Sequence, residues 1–460
     1  MGENPPAKCG KAGLSLRKTM EIFRIGPEIN RFRHRENSVK GESSLSCAFT
    51  VSLFDAKLRH CLRFASMRVL VLAPQPFMTL RGTPIAIKMM LEGLSARGDT
   101  VDVLTFPEGD DVEIANCRLF RLPRIPGLSN IPPGFSLKKL LLDGVMIPYA
   151  IARMIRSRYD LVIAVEESAY IAMALRPLFR VPYIADIDSS IPEQLDDKYD
   201  LPAPILRALS TVERWACRSA IGAMVCCKAL RDSVREHDAD LPVQVLEDVT
   251  MLDDNDPRPA PKDMEFDEPT IVYVGNLEPY QGIDLLLDGF AGLDPDRTHA
   301  RLVVIGGNEQ HIAENRIRAL ELGIADRVSF LGPRPVADLG PYLRAATIVT
   351  SPRMQGRNTP MKVYSYLDSG RPLLATRLPT HTQVLTDEVA HLVTAAPKDM
   401  TEGFEMLLAD PDLRDRLATN ARAYVKREFT PAAYRQKLDQ FLRTEIEPRL
   451  AGRTRPVATR

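Results

Sequence analysis

Cysteine and histidine are scarce in this chain and are not arranged as ligands. The seven cysteines are an odd number, none are spaced as CxxC, and Cys226 and Cys227 are adjacent. Scattered thiols of this kind are typical of reduced proteins rather than of disulfide scaffolds. The seven histidines do not cluster and HExxH is absent. The sequence therefore predicts no disulfide framework and no metal site.

Net charge and long apolar runs are also missing. Sixty Lys and Arg balance sixty Asp and Glu, so no global field attracts nucleic acid, and any anion site must be local. The most apolar segments, LLLDGVMIPYAIA and AYIAMALRPLF, are interrupted by Asp143 and Arg176 before they reach the roughly 20 residues of a membrane-spanning helix. We expect a cytoplasmic protein without a nucleic-acid partner.

The first 66 residues differ from the rest. They carry twelve Lys and Arg against six Asp and Glu and show no strand-helix rhythm, whereas Met67 opens the buried-strand pattern MRVLVLAP. LSCAFTVSLF lacks the layout of a secretory signal. We predict that residues 1–66 are a disordered basic extension or an over-long start, and that the fold begins at Met67.

From Met67 onward, short apolar runs alternate with longer helical ones. The predicted strands of a first domain, residues 67–249, are VLVLAP, TVDVLTF, CRLFRL, LVIAVE, PYIADID and AIGAMVCC. The helical segment PIAIKMMLEGLSARG ends on Gly98, a typical helix stop. Strands that alternate with helices predict an α/β fold with a parallel sheet between two helical layers.

A second series follows a break in composition. Residues 250–269 are rich in Asp and Pro, as expected of a linker. The strands TIVYVGN, RLVVIGG, VSFLGP, ATIVTSP, PLLATR and AHLVTA then predict a second doubly wound domain, residues 270–428. Residues 429–450 are predicted as a helix that crosses back to the first domain, and 451–460 as a tail. Two such domains in tandem imply a cleft at the carboxyl ends of their strands.

Neither GxGxxG nor GxxxxGK[ST] is present, which argues against dinucleotide and P-loop chemistry. Three other segments carry a resemblance: APQPFMTLRGTP, VGNLEPYQGIDLLLDGF and NTPMKVYSYLDSGRPLLATR. Together they resemble the nucleotide-sugar-dependent, retaining glycosyltransferases of the GT-B fold (glycosyl transferases group 1, family 4-like). The resemblance spans roughly Met67 to Leu450. It implies two Rossmann-like domains facing across a cleft and a donor site in the second domain.

This chain departs from the family pattern at three charged positions. In the motif Gly275 to Gly282, Asn276 and Gln281 stand where the family has an Arg and a Lys that hold the donor diphosphate. Ser365 stands where the family has a Glu that binds the ribose hydroxyls. A serine hydroxyl cannot bracket a diol as two carboxylate oxygens can.

A neighbouring cluster offers replacement charges. The segment SPRMQGRNTPMK brings three cations to a predicted helix start, where free backbone N–H groups and the helix dipole favour an anion. Our hypothesis is that this cluster holds the diphosphate; the alternative is a set of exposed surface cations. The donor-site residues that this segment supplies are Arg353, Arg357, Asn358, Thr359 and Lys362.

The first domain supplies further candidates. Arg81, Gly82 and Thr83 lie between a strand and a helix, at a loop that the resemblance places near donor phosphate and acceptor, although a simple turn explains them too. Asp186 and Asp188 lie at the strand end of PYIADID. Asp188 is a candidate to orient sugar hydroxyls or take a proton, or else a helix cap.

Weaker candidates stand on the same rim. Glu166 and Glu167 follow LVIAV. His381 follows a strand on a loop expected to open onto the cleft, although a lone histidine is more often a loop or capping residue. FSLKKLLLDGVMIPYAIARMIRSR fits a basic amphipathic surface for peripheral contact with the inner face of a membrane, but a sheet-packing helix with solvated charged ends is the interpretation we favour.

The resemblance implies transfer of a sugar from a nucleoside diphosphate to the hydroxyl of a glycan or lipid-linked acceptor. It implies no metal and no cofactor beyond the nucleotide-sugar co-substrate, with Asp188, Arg353 and Lys362 as the catalytic candidates. Two alternatives stay open. One is a sugar-nucleotide epimerase of the same fold, and the other is a non-catalytic scaffold, for which the three lost charges argue.

Overall fold

The computed structural model describes residues 66–77, 82–131, 136–199, 201–253, 256 and 258–452, without the side chains at 193, 197 and 198. Three predictions therefore lie outside the described residues: the basic extension up to residue 65, the phosphate-loop candidate Arg81, and the tail beyond residue 452. No described helix is both long and apolar enough to cross a membrane.

The first sheet has seven parallel strands in the order β3-β2-β1-β4-β5-β6-β7. Six of them are the apolar runs predicted from sequence. The seventh has only three half-buried residues, too few to show a strand pattern in the sequence. The strands are β1 (Arg68–Ala73), β2 (Thr100–Thr105), β3 (Cys117–Arg121), β4 (Leu161–Val165), β5 (Tyr183–Ile187), β6 (Gly222–Val225) and β7 (Val243–Val245).

Helices connect these strands and bury the sheet. Continuous apolar runs such as β1 and β4 are buried almost throughout, as expected of a parallel sheet that is covered on both faces. Gly98 has φ +87°, the left-handed conformation expected after a helix end. The helices are α1 (Gly82–Ala96), α2 (Leu137–Arg156), α3 (Ser168–Phe179), α4 (Ile191–Tyr199), α5 (Ala203–Ser219) and α6 (Lys228–His237).

The second sheet has six parallel strands in the order β10-β9-β8-β11-β12-β13. Its strands are β8 (Thr270–Val274), β9 (Arg301–Ile305), β10 (Val328–Gly332), β11 (Ile348–Ser351), β12 (Leu373–Thr376) and β13 (His391–Val393). Its helices are α7 (Ile283–Ala291), α8 (Pro295–Thr298), α9 (Glu309–Glu321), α10 (Leu339–Ala345), α11 (Met361–Asp368), α12 (Pro379–Thr382) and α13 (Pro397–Ala409), with 3₁₀ turns at Lys262–Met264, Pro279–Gln281 and Val336–Asp338.

Both sheets reverse their winding in the same way. β1 lies between β2 and β4, and β8 lies between β9 and β11, so the strand order turns back at the first strand of each sheet. Ligands of open parallel sheets bind outside the carboxyl ends of the strands at such a reversal. The predicted class, two doubly wound α/β units, is confirmed.

α14 (Pro411–Glu428) packs against α11 in the second domain, and the chain then returns to the first domain. The returning elements are α15 (Pro431–Phe441), a π turn at Leu442–Ile446 and α16 (Glu447–Ala451). Arg97, at the end of α1, pairs with Asp439 and donates to Glu447 Oε1 at 2.6 Å. Its Nε also donates to Asp99 at 2.9 Å. Gly93 lets α1 approach, since a Cβ there would lie 2.8 Å from Leu438.

Candidate functional site

The turn after β8 is shaped by glycines. Gly282, at φ +75°, opens α7, and a Cβ there would lie 2.1 Å from the carbonyl oxygen of Pro352. Gly306 has φ +113°, and its Cβ would lie 2.0 Å from the carbonyl oxygen of Gly275. Only glycine fits at these approaches. They bring the loops after β8, β9 and β11 together at one edge of the second sheet.

Lys362 reaches this turn from the first turn of α11. Its Nζ donates to Gln281 Oε1 at 3.0 Å and lies 4.0 Å from the centroid of the Tyr273 ring. Gly275 leaves room for it, since a Cβ there would be 2.9 Å from Nζ. The ammonium therefore stands beside Gln281, the residue that occupies the place of the family's lysine.

Arg353 places a second cation on the same turn. Its guanidinium carbon lies 5.1 Å from the centroid of the Tyr280 ring, and its Nε donates to the carbonyl of Gln355 at 2.6 Å. Gly356, at φ +121°, accommodates the group, because a Cβ would lie 2.4 Å from Nη2. Asn276 contacts the same ring system, with Nδ2 3.2 Å from the Tyr280 hydroxyl.

Neither cation has a negative partner among the residues that the structure describes. Burial, together with the nearby Arg353 charge, holds the pKa of Lys362 well below its usual range, and burial also lowers the pKa of Arg353. Within the part of the chain that the structure describes, no carboxylate forms an ion pair with either side chain. Two neighbouring cations of this kind favour an anion between or beside them.

The remaining residues of the NTP segment contact the first domain or the next loop. Asn358 Nδ2 donates to the carbonyl of Asp188, and Cys227 Sγ lies 3.6 Å from Asn358 Oδ1. Thr359 is buried. The Arg357 carbonyl accepts from Gln383 Nε2 at 2.5 Å. Asn358 thus links the two units at the carboxyl ends of their strands.

Ser365 has a structural partner. Its Oγ accepts a hydrogen bond from the backbone N–H of Met251 at 3.2 Å, and the residue is only 9% exposed. The hydroxyl therefore helps to hold the segment that joins the two sheets. The family's ribose-binding role at this position stays a prediction for Ser365.

The first unit brings Thr83 and Asp188 together. The Thr83 side chain at the start of α1 hydrogen-bonds the Asp188 carboxylate, while neighbouring Gly82 is exposed. Burial and the negative charge of Glu166 raise the pKa of Asp188 to about 7. Burial and the charge of Asp188 raise the pKa of Asp186 as well. Asp188 can therefore exchange a proton near neutral pH.

The prediction that His381 lies on a loop open to the cleft is wrong. His381 belongs to the short helix α12 and has no exposed surface. Its Nε2 is 3.0 Å from Ser351 Oγ, and its Nδ1 is 2.8 Å from the Thr376 carbonyl. Burial lowers its pKa to about 4, so the ring is neutral. Because Thr376 Oγ1 donates to the carbonyl of Arg353 at 2.6 Å, His381 supports the backbone that presents Arg353.

Several members of this site carried no sequence signal. The ring of Tyr273 contacts Lys362 and the ring of Tyr280 contacts Arg353, but in the sequence the two tyrosines look like an ordinary strand residue and an ordinary turn residue. Cys227 meets Asn358 across 131 positions of sequence. Among the described residues, no cluster of His, Cys, Asp and Glu has the geometry to hold a metal ion.

The family models match both units. Residues 81–246 match the glycosyl transferase 4-like domain, and residues 268–410 match the glycosyl transferases group 1 domain. Together with the two doubly wound sheets, these matches show that the chain belongs to the GT-B glycosyltransferases.

Individual relatives are distant. D-inositol 3-phosphate glycosyltransferase of Corynebacterium glutamicum is 26% identical over 306 residues, which are 61% of this chain and 70% of that protein. Sucrose-phosphate synthase of Thermosynechococcus elongatus is 21% identical with a TM-score of 0.65, over 82% of this chain and 98% of that one. HepE of Anabaena, solved with UDP, is 16% identical with a TM-score of 0.63, over 82% of this chain and 100% of that one. The two structures show the fold.

Proposed function

We propose that this glycosyltransferase moves a sugar from a nucleoside diphosphate to an acceptor hydroxyl with retention, in the synthesis of a surface or lipid-linked glycan. The observation that carries the proposal is the pair Lys362, in the first turn of α11, and Arg353, on the loop after β11; both cations are partly buried, and neither pairs with a carboxylate of the described residues. The solved relative HepE, which has this fold, holds UDP and so supports a nucleoside diphosphate donor.

In this reaction the diphosphate lies on the cation pair. Lys362 and Arg353 stabilise the negative charge that grows on the leaving phosphate as the glycosidic bond breaks, which is the largest contribution such a site makes. Because the chain supplies these charges itself, we propose that transfer needs no metal and no further cofactor. Activity that persists in excess chelator is the expected result.

Asp188 acts on the sugar side. Its raised pKa allows the carboxyl group to hold or accept a proton near neutral pH, as a group that orients or deprotonates an acceptor hydroxyl must. Thr83 and Asn358 fix its side chain and its backbone carbonyl. Asp188 to Asn is then expected to lower kcat while nucleotide affinity stays unchanged.

The engagement of Ser365 with Met251 favours one competing function, a sugar-binding subunit without turnover. The test is thermal stability of the full chain against UDP, GDP, ADP, CMP and their sugars, since a ligand at about 100 times its Kd stabilises by about 2.7 kcal/mol. A shift with one nucleotide family, followed by product formation only with acceptor, supports the transferase. Binding without turnover supports the subunit, and donor conversion without acceptor supports an epimerase.

Contact with a membrane surface is part of the proposal. Helix α2 buries Leu142, Met146, Ala150 and Met154 against the sheet, as a sheet-packing helix does. On its other side Leu137 and Ile155 are 69% and 72% exposed, beside basic residues at the helix end. Such a face suits an anionic bilayer. Co-flotation with vesicles that contain phosphatidylglycerol, and its loss in a Leu137→Ser/Ile155→Ser variant, are expected.

A further inference from the structure

A cavity of about 440 Å³ lies in the first unit, apart from the cation pair. It is bounded by α2, by the ends of β4 and β5, and by α4 and α5. Five aliphatic side chains form one wall: Leu140, Ile191, Leu195, Leu209 and Val212. Its size is in the range of small-ligand sites, and its wall suits an apolar body.

The opposite corner is acidic. Lys139 Nζ pairs with Glu166 Oε2 at 2.9 Å and with Glu167 Oε1 at 2.7 Å. Glu166 holds a left-handed backbone, φ +48°, which is strained for a residue with a side chain. Its N–H donates to the carbonyl of Asp186 at 2.7 Å, which ties this strained turn to the end of β5.

Asp143 adds a third carboxyl group, one helical turn after Lys139 on α2. Its Oδ1 is buried and has no hydrogen-bond partner among the described residues. Two glutamates therefore pair with one ammonium, a third carboxyl group lines the same cavity, and its Oδ1 is left unsatisfied there. A buried acceptor without a donor is costly, and a ligand that supplies N–H groups and positive charge relieves that cost.

The charge states support the same conclusion. Burial and the charge of Glu167 raise the pKa of Asp143 to about 8, and burial and the charge of Glu166 raise the pKa of Glu167 to about 7. Burial lowers the pKa of Lys139, but the charges of Glu166 and Glu167 raise it by more, so the pKa rises and the side chain stays charged. Near neutral pH Asp143 and Glu167 therefore hold protons that they can release when a second cation binds, so the corner has spare capacity for one.

We propose that this cavity is the acceptor subsite, and that it takes an amine-bearing sugar or polyol attached to an apolar body. The inference rests on the proposed transfer function. Ser189 lines the cavity and directly follows Asp188, whose carbonyl is bound by Asn358 of the donor side, so the subsite adjoins the expected point of transfer. A phosphorylated acceptor is excluded by the same carboxyl groups.

The test compares three probes on the full chain without donor, by titration calorimetry: octyl 2-amino-2-deoxyglucoside, octyl glucoside and octyl glucoside 6-phosphate. Each is used below its micelle concentration. The amine is expected to bind at least tenfold more tightly than the neutral sugar, and the phosphate is expected not to bind. Equal binding of the amine and neutral sugars, preference for the phosphate, or no binding of any probe overturns the proposal.

Variants locate the effect. Asp143→Asn and Glu167→Gln are each expected to remove most of the preference for the amine, whereas Glu402→Gln, an exposed carboxylate on α13, is a matched control that leaves it unchanged. Preference that survives both variants overturns the assignment to this cavity. Nucleotide binding is measured separately: if it persists while the amine fails, only the subsite is wrong, and if the amine binds while no nucleotide does, the transfer function is wrong.

Discussion

Replacing Lys362 with methionine removes one of the two cations at the proposed donor site and keeps most of the side-chain volume. In the structure Nζ donates to Gln281 at 3.0 Å and lies over Tyr273, and no carboxylate among the described residues pairs with it. The variant therefore breaks no ion pair. If Lys362 binds the diphosphate, the change weakens nucleotide binding without lowering the stability of the folded protein.

The magnitude follows from the contact that is lost. A hydrogen bond to a charged group contributes about 1.5–3 kcal/mol. Because every 1.4 kcal/mol is tenfold in Kd, we expect Lys362→Met to weaken nucleoside diphosphate binding by about 10-fold to about 100-fold. A buried ammonium without a counter-ion is a cost to the folded state, so stability without ligand is expected to stay equal or rise.

The assay is titration calorimetry with the nucleoside diphosphate that the panel identifies, together with urea unfolding. Lys398→Met is the control, since this lysine is 83% exposed on α13. The double variant Gln281→Lys/Lys362→Gln returns an ammonium to the same contact and is expected to recover part of the affinity. Unchanged affinity in Lys362→Met, or a loss no larger than that of the control, would refute the reasoning.

Three further predictions concern the scaffold and the acidic cavity. Arg97→Met takes away the partner of Glu447 and one of the two arginines that pair with Asp439, so it is expected to cost about 3 kcal/mol in urea unfolding. The exposed Arg443→Met, which leaves Asp439 its bond to Arg97, is expected to cost little, and equal midpoints for the two variants would contradict this reasoning. Gly306→Ala is expected to lower stability by about 2 kcal/mol or more and to abolish nucleotide binding, because the new Cβ would collide with a backbone oxygen. Gly323→Ala is the control: it has the same kind of backbone conformation but open space around it, so it is expected to cost only about 1 kcal/mol of backbone strain. Asp143, with its pKa raised from 3.8 to about 8, binds its proton more tightly in the folded chain, so stability falls as pH rises from about 4 to about 8. Asp143→Asn is then expected to stabilise the protein more at pH 8 than at pH 5, by at most about 4 kcal/mol over these three pH units. An equal effect at both pH values would show that ionising the Asp143 carboxyl group does not lower the stability of the folded chain.

Much of the fold was readable from the chain alone. Parallel strands that are covered on both faces must be apolar throughout, so VLVLAP and RLVVIGG can be predicted as strands without any knowledge of their neighbours. β7 escaped because three half-buried residues carry no such run. The proline before α11 and the glycine before α7 likewise indicate helix starts, because each fits a particular local backbone conformation.

The site was only partly predictable. The sequence named Lys362 and Gln281 separately, but their contact joins residues 81 positions apart and depends on how β8 and β11 pair. His381 looked like a cleft residue, and only the packing of α12 shows that its ring is enclosed by Ser351 and Thr376. Lys139 looked like a surface cation and instead neutralises Glu166 and Glu167.

The sequence by itself determined the two doubly wound sheets, the glycine-shaped turns and the loss of three family charges, because hydrophobic period and backbone conformation are local properties. The tertiary structure alone decided that Lys362 lies beside Gln281, that His381 is buried, and which carboxyl groups share one cavity. Charge and burial act through space and fall off over a few ångströms, so their outcome depends on which distant segments the fold brings together.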